Sequence, residues 1–117
     1  MIATLHLPLP PSMNTYWRNF RGRTILSKAG RDYKLAVQEY VAANSLPKFG
    51  SARLHGIITI FPRDKRKCDL DNYMKGIFDS LQDAGVFDDD SQFDLIEIAR
   101  GKIKPGGGCN VVICEML

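Results

Sequence analysis

The sequence has no long hydrophobic run and no cysteine pair of the C-x-x-C kind, and its first residues do not suggest a signal peptide. No apolar run approaches the length of about 18 residues that a membrane-spanning helix needs, and the first residues contain neither a charged region nor a long apolar stretch of the signal-peptide kind. The three cysteines are odd in number and none belongs to a C-x-x-C motif, which argues against a disulfide framework and against a zinc site. We therefore expect a protein of the cytoplasm, where thiols stay reduced.

Length and periodicity bound the fold. The chain has 117 residues, 44% hydrophobic and 25% charged, the composition of an ordinary globular protein, so a single domain over residues 1–117 is expected. Hydrophobic periodicity predicts six elements. In chain order they are a strand at 2–7, a helix at 27–44 capped by Ser27, a strand at 52–61, an amphipathic helix at 69–84 and two strands at 93–102 and 109–116. This order predicts an α/β (α+β) fold, with two main helices packed on a small mixed sheet. Apolar side chains on both faces of the strand at 52–61 suggest a central strand covered on two sides.

Charge is distributed unevenly along the chain. The formal net charge is only +3, yet 12 of the 16 Lys and Arg residues lie between positions 18 and 67, and eight of the 13 acids lie between positions 69 and 94. This asymmetry suggests a surface that binds a polyanion next to an acidic pocket, although clustering on a solvated surface would look the same.

The acids that attract attention are Asp69 and Asp71, one residue apart at the start of the second predicted helix. A helix N-terminus explains Asp69, whose carboxylate is expected to cap the helix. Asp71 is expected to pair with Lys75, four residues on. Three consecutive acids, residues 88–90, follow the helix, and the chain reversal after Gly85 can return them towards its start.

Carboxylates that converge in this way repel one another unless a cation joins them. All-oxygen ligands favour Mg²⁺ or Mn²⁺ over zinc, and Mg²⁺ accepts substrate phosphate oxygens, which suits phosphodiester hydrolysis. A solvated acidic loop is the alternative for residues 88–90.

Two further stretches suggest contact with nucleic acid. The segment 14–23 interleaves aromatic rings with cations and is expected to form a loop or an irregular hairpin ending in a short strand at 24–26. Such a segment can stack on unpaired bases while its arginines bind phosphates, and the loop at 62–67 can hold a phosphate backbone over a metal. The alternative is that Tyr16 or Trp17 covers the core. The candidate DNA-binding residues are Asn14, Tyr16, Trp17, Arg18, Arg21, Arg23, Arg63, Lys65, Arg66 and Lys67.

Taken together, these residues resemble one protein family, the RusA-type Holliday junction resolvases of bacteria and their phages. The resemblance covers nearly the whole chain and includes LPLPPSMNTYWR near the start, GRTILSKAGRDY at the first helix and, as its most specific part, DLDNYMKGIFDSLQDAGVFDDDSQ. It implies that Asp69, Asp71 and Asp90 bind the metal and that Lys75 is the active-site lysine. In the DDD run it makes Asp89 an acidic neighbour of Asp90.

The resemblance also implies an activity: a Mg²⁺-dependent homodimer that resolves Holliday junctions by paired symmetric nicks, in DNA recombination and repair. Mn²⁺ is a possible substitute for Mg²⁺. Lys75 would stabilise charge on the phosphate or the leaving oxygen, or orient the nucleophile. The alternative function is a non-catalytic nucleic-acid-binding module with a basic, aromatic-rich surface.

Overall fold

A computed structural model describes residues 1–116. Within this range the strands and helices are, in chain order, β1 (Ile2–Leu7), α1 (Met13–Tyr16), β2 (Trp17–Phe20), β3 (Arg23–Leu26), α2 (Lys28–Asn44), β4 (Leu54–Phe61), α3 (Met74–Asp83), β5 (Phe93–Arg100) and β6 (Gly108–Glu115). Two short 3₁₀ turns, Leu70–Tyr73 and Asp90–Gln92, precede and follow α3. Between residues 1 and 116, no helix combines the length and the apolar character needed to cross a membrane.

The predicted α+β fold with a mixed sheet and two main helices is confirmed. The main sheet has the strand order β1-β6-β4-β5. Strand β6 is antiparallel to both β1 and β4, whereas β4 and β5 are parallel. Parallel neighbours need a crossover connection, and here α3 provides it. This crossover places one acidic segment before α3 and the other after it.

One face of the sheet forms the core with the two long helices. Strand residues such as Leu5, Ile58 and Val111 are fully buried there. On the predicted amphipathic stripe of the second helix, Ile77, Phe78 and Leu81 are buried, while Leu70, Tyr73 and Met74 are half-buried against the same core. Gly85 ends the helix with a positive φ of 81°, as a residue after a helix C-terminus commonly does.

No helix or loop among residues 1–116 covers the opposite face of the sheet, so the prediction of a two-sided central strand is wrong in this respect. Strand β4 is central, but its side chains alternate between buried and more exposed positions. Ile57 is 37% exposed, and Leu95 on the adjacent strand is 45% exposed. The apolar residues of β4 therefore form an outward surface as well as a core surface.

Tyr16 fixes the amino-terminal segment between the two long helices. Its hydroxyl lies 3.0 Å from Ser80 Oγ, and Gly76 approaches its ring so closely that a Cβ there would lie 3.2 Å away. Ser27 caps α2 as predicted: its Oγ accepts the Gly30 N–H at 3.0 Å. A side chain at Gly30 would meet the Tyr16 carbonyl oxygen at 2.5 Å, so this contact requires glycine.

Candidate active site

Asp69 and Asp71, which form a D-x-D motif, lie where the chain enters α3. Asp69 is the N-cap residue of the 3₁₀ turn, but its carboxylate makes no capping hydrogen bond. The prediction of a side-chain cap is therefore wrong. Only the Asp69 backbone carbonyl takes part in the turn, where it accepts the Asn72 N–H at 3.1 Å. The carboxylates of Asp69 and Asp71 are on exposed residues and have no hydrogen-bond or ion-pair partner within residues 1–116.

The predicted ion pair between Asp71 and Lys75 is also absent from the part of the chain described. The Lys75 ammonium instead forms an ion pair with Asp79 Oδ1 at 3.1 Å and donates to Asp90 Oδ2 at 3.3 Å. Residues four apart lie side by side on a continuous α-helix, whereas the 3₁₀ turn before Met74 winds at about three residues per turn. Lys75 therefore connects the start of α3 to the turn that follows it.

Asp90 is held in place by the turn that contains it. Its backbone N–H donates to Gln82 Oε1 at 3.1 Å, which ties the turn to the end of α3. Asp89 is the N-cap of this second 3₁₀ turn, where its Oδ1 accepts the Ser91 N–H at 2.8 Å and Gln92 completes a capping box. The same Ser91 hydrogen bonds lower the pKa of Asp89. Asp89 thus has a structural role beside Asp90.

Gln92 anchors this turn to the body of the domain. The residue is only 5% exposed, and its Nε2 donates to the carbonyls of Gly50 at 2.8 Å and Ala52 at 2.7 Å. Its Oε1 accepts the N–H groups of Asp88 and Asp89 at 2.9 and 2.7 Å. A buried amide with all its polar atoms bonded is costly to move, so the backbone at Asp90 has a fixed position.

Lys75 is a cation in this environment. The hydrogen bond to Asp79 contributes most to raising the pKa of Lys75, the contact with Asp90 adds to it, and partial burial opposes both. The ammonium is therefore charged throughout the neutral range. It lies between two carboxylates at the position where the family resemblance requires a lysine.

The three aspartates that the resemblance assigns to a metal do not form a preassembled cluster. Across residues 1–116, no three His, Cys, Asp or Glu side chains are gathered in a way that could hold an ion. The donor set itself is suitable for a hard cation, because it offers carboxylate oxygens and two of the three carboxylates have no partner among the described residues. The third carboxylate, that of Asp90, is paired with Lys75.

The basic loop, residues 62–67, connects β4 to the D-x-D motif. Its cations are of two kinds, paired and unpaired among the described residues. Arg66 donates to both carboxylate oxygens of Asp64, including Nη2 to Oδ2 at 2.8 Å, and this contact lowers the pKa of Asp64. Arg63, Lys65 and Lys67 are exposed and have no carboxylate partner within residues 1–116. Arg66 therefore shapes the loop, while the other three remain available to a polyanion.

Residues 17–23 of the aromatic segment lie in the hairpin of β2 and β3, whereas residues 14–16 belong to the short helix α1. The guanidinium carbons of Arg18 and Arg21 lie 5.3 and 5.2 Å from the centre of the Phe20 ring, and Phe20 is 44% exposed. Asn14 and Arg23 are exposed as well. Trp17 is half-buried, with its ring edge against Tyr16.

Tyr16 has to be removed from the candidate DNA-binding residues. Its side chain is completely buried, and its hydroxyl is bonded to Ser80. The alternative considered from the sequence, in which this ring belongs to the core, is confirmed for Tyr16. Burial also raises the pKa of its phenol.

Two clefts lie on either side of the basic loop. The larger, of about 760 Å³, lies between this loop and the segment Pro8–Ser12, with Tyr33 and Tyr73 in its walls. The smaller, of about 410 Å³, lies between the loop and the residues that follow β5, and it borders Asp69. Extended clefts of one dominant charge are suited to a backbone that carries the opposite charge.

Several residues at the site were missed by sequence reasoning. Asp79 could have been found, because it lies four residues after Lys75 on one helix. The Asp89–Gln92 pair could also have been found from its capping-box spacing. Gln82 gave no local signal, and neither did Arg100, whose Nη1 donates to Cys68 Sγ at 2.9 Å. The Arg100 contact joins distant parts of the chain.

Comparisons with known proteins agree with the resemblance seen in the sequence. A family model described as endodeoxyribonuclease RusA matches residues 8–113. The crossover junction endodeoxyribonuclease rusA of Enterobacteria phage HK97 is 41% identical over 110 residues, covering 94% of this chain and 92% of the relative. The protein of the same name from Escherichia coli K12 is 36% identical over 114 residues, with coverages of 97% and 94%. That of Enterobacteria phage 82 is 34% identical over 110 residues, with coverages of 94% and 92%.

Proposed function

The chain belongs to the RusA family of endodeoxyribonucleases, and on this premise we propose that it is a Mg²⁺-dependent, structure-selective endonuclease. It acts on four-way DNA junctions, resolving them by paired symmetric nicks in recombination and repair. The relatives named crossover junction endodeoxyribonuclease support the substrate class. The cytoplasm, bacterial or of a phage-infected cell, remains the expected location.

The observation that carries the proposal is the contact between Lys75 and Asp90. These residues are 15 positions apart and lie on opposite ends of the α3 connection, yet their side chains meet at 3.3 Å. The D-x-D motif precedes Lys75 by a single 3₁₀ turn. The lysine and the third aspartate of the family pattern are therefore neighbours, beside a loop with three available cations.

Asp69, Asp71 and Asp90 are the residues that would hold the metal. When bound, Mg²⁺ supplies Lewis-acid stabilisation of phosphate oxygens and increases the acidity of a water molecule. Asp90 would then exchange its contact with Lys75 for the ion, while Asp69 and Asp71 have no internal contact to give up. The turn around Asp90 keeps its backbone in place during this exchange, because Gln82 and Gln92 bind main-chain groups only.

Lys75 would then act on the phosphate itself. With Asp90 as a metal ligand, the ammonium would keep its contact with Asp79 and could donate to a phosphate oxygen on which negative charge builds up. Asp79 positions the amine from the next turn of α3. The exposed cations of the basic loop hold the backbone in register without reading its bases.

A homodimer is part of the proposal. Paired nicks on opposing strands need two active sites related by a two-fold axis, and one chain carries one acidic constellation. The outward face of the sheet exposes Ile57 and Leu95 beside the His55–Glu97 pair, and we propose this mixed surface as the contact with a second copy. Light scattering is expected to give twice the chain mass of 13.1 kDa for the wild type and a monomer for Ile57→Glu. A dimer that persists in this variant would exclude the sheet face as the interface.

The direct test is cleavage of labelled DNA. Four-way junction, linear duplex and single strand are incubated with the protein, with and without Mg²⁺. We expect paired nicks in the junction alone, and only with the metal. The non-catalytic module would bind the junction and cleave none of the three substrates in any divalent metal, which would refute the proposal.

A further inference from the structure

We propose that the smaller cleft beside Asp69 binds a phosphate of the DNA strand that is cut, and that Arg100 is the residue that positions it. This inference rests on the proposed nuclease function and assigns a ligand to a neighbouring surface. Arg100 lies outside the basic loop, 31 residues after Asp69, and no sequence pattern connects the two.

Parallel pairing brings Arg100 to the site. Because β4 and β5 are parallel, the loop after β4 and the residues after β5 leave the sheet at the same edge. The backbone fixes this neighbourhood: the Gly101 N–H donates to the Ile60 carbonyl and the Lys104 N–H to the Pro62 carbonyl, both at 2.8 Å. Arg100 Nη1 in turn donates to Cys68 Sγ at 2.9 Å, next to the D-x-D motif.

The charge of this cleft favours an anion. Its lining includes four cations and two carboxylates: Lys65, Arg66, Lys67 and Arg100 against Asp64 and Asp69. Arg66 and Asp64 neutralise each other. Within residues 1–116, Lys65, Lys67 and Arg100 have no carboxylate partner, and Asp69 is a proposed metal ligand. Three cations thus remain for a ligand that lies against the metal site.

The chemistry of the lining favours a phosphate over a base. The described residues around this cleft include no aromatic side chain, so a base would find no ring on which to stack. The larger cleft, in contrast, has two tyrosines in its walls. A guanidinium presents two parallel N–H donors that match phosphate oxygens. Arg100 is therefore suited to hold a backbone phosphate in the cleft that borders Asp69.

The experiment compares Arg100→Gln with Lys102→Gln. Both remove one positive charge, but Lys102 lies two residues further on and does not line the cleft. Junction binding is measured without divalent metal over a range of salt concentrations. For Arg100→Gln we expect about tenfold weaker binding and a salt slope smaller by about 0.9, the loss of one phosphate contact. Lys102→Gln should stay within about twofold of the wild type.

Two more variants separate phosphate binding from a structural role. Arg100→Lys keeps the charge and should recover most of the affinity and the full salt slope. Cys68→Ala removes the sulfur that Arg100 contacts and should bind DNA like the wild type. If Cys68→Ala loses as much affinity as Arg100→Gln, Arg100 acts by holding the loop and the inference is wrong.

The inference is also overturned if Arg100→Gln and Lys102→Gln have equal salt slopes. These outcomes are distinguishable from failure of the proposed function. A wild-type protein that cleaves no junction in Mg²⁺ would refute the nuclease, whereas the salt slopes would still report whether Arg100 contacts a phosphate.

Discussion

Asp71→Asn is expected to lose junction cleavage almost completely while it still binds the junction. Residues that only support metal ligands typically contribute 10- to 100-fold to activity, so removal of a proposed ligand should reduce the cleavage rate by more than about a hundredfold. Asp71 is exposed and has no partner in the described structure, so the change should leave the fold intact. Removal of a negative charge beside a basic loop should leave DNA affinity equal or slightly higher.

The matched control for this result is Asp88→Asn. It makes the same chemical change on an exposed acid two residues before Asp90, and the side chain of Asp88 has no proposed role. Single-turnover cleavage and metal-free binding of the same labelled junction are measured for both variants. Full cleavage by Asp71→Asn would contradict the proposed metal site, and so would an equal loss in Asp88→Asn.

Lys75→Gln should slow the chemical step by about 10²- to 10³-fold, the usual effect of removing one group that stabilises transition-state charge. Metal affinity, in contrast, should not fall in this variant. In the structure the ammonium lies 3.3 Å from the Asp90 carboxylate and competes with a metal for it. The neutral variant should therefore bind Mn²⁺ at least as tightly as the wild type. Slower cleavage together with undiminished metal affinity would assign Lys75 to the phosphate.

Lys75→Arg is the informative companion, because it retains the charge and the ability to pair with Asp79. It should cleave faster than Lys75→Gln and slower than the wild type, since a planar guanidinium cannot take the same position as an ammonium. A Lys75→Gln protein that loses Mn²⁺ affinity would show that the lysine supports the metal site, contrary to the role proposed here.

The elements of the fold could be predicted where a local pattern determines them. The Ser27 cap, the stripe of Ile77 and Leu81, and the reversal at Gly85 each depend on residues within a few positions of one another. Exposure of the second sheet face could not be predicted, because apolar residues on both sides of β4 fit either a covered strand or a surface for another chain. The distinction depends on where the helices pack.

The sequence was enough to predict which residues belong to the site, but not which of them contact one another. Lys75 has acids four residues away on both sides, Asp71 and Asp79, and helical spacing alone predicts either pair equally well. In the structure the 3₁₀ turn before Met74 breaks that spacing for Asp71. Tyr16 looked like its aromatic neighbours, and only its packing against Ser80 and Gly76, 64 and 60 residues away, places it in the core. Arg100 reaches the D-x-D motif through strand pairing alone.

The central claim is that Asp69, Asp71 and Asp90 bind one shared divalent ion, and Mn²⁺ binding followed by electron paramagnetic resonance tests it most directly. Titrations are compared for the wild type, the three single Asp→Asn variants and Asp88→Asn. We predict that each of the three variants loses the tight site of the wild type and that Asp88→Asn retains it. An Asp90→Asn protein that binds Mn²⁺ as tightly as the wild type would contradict the account.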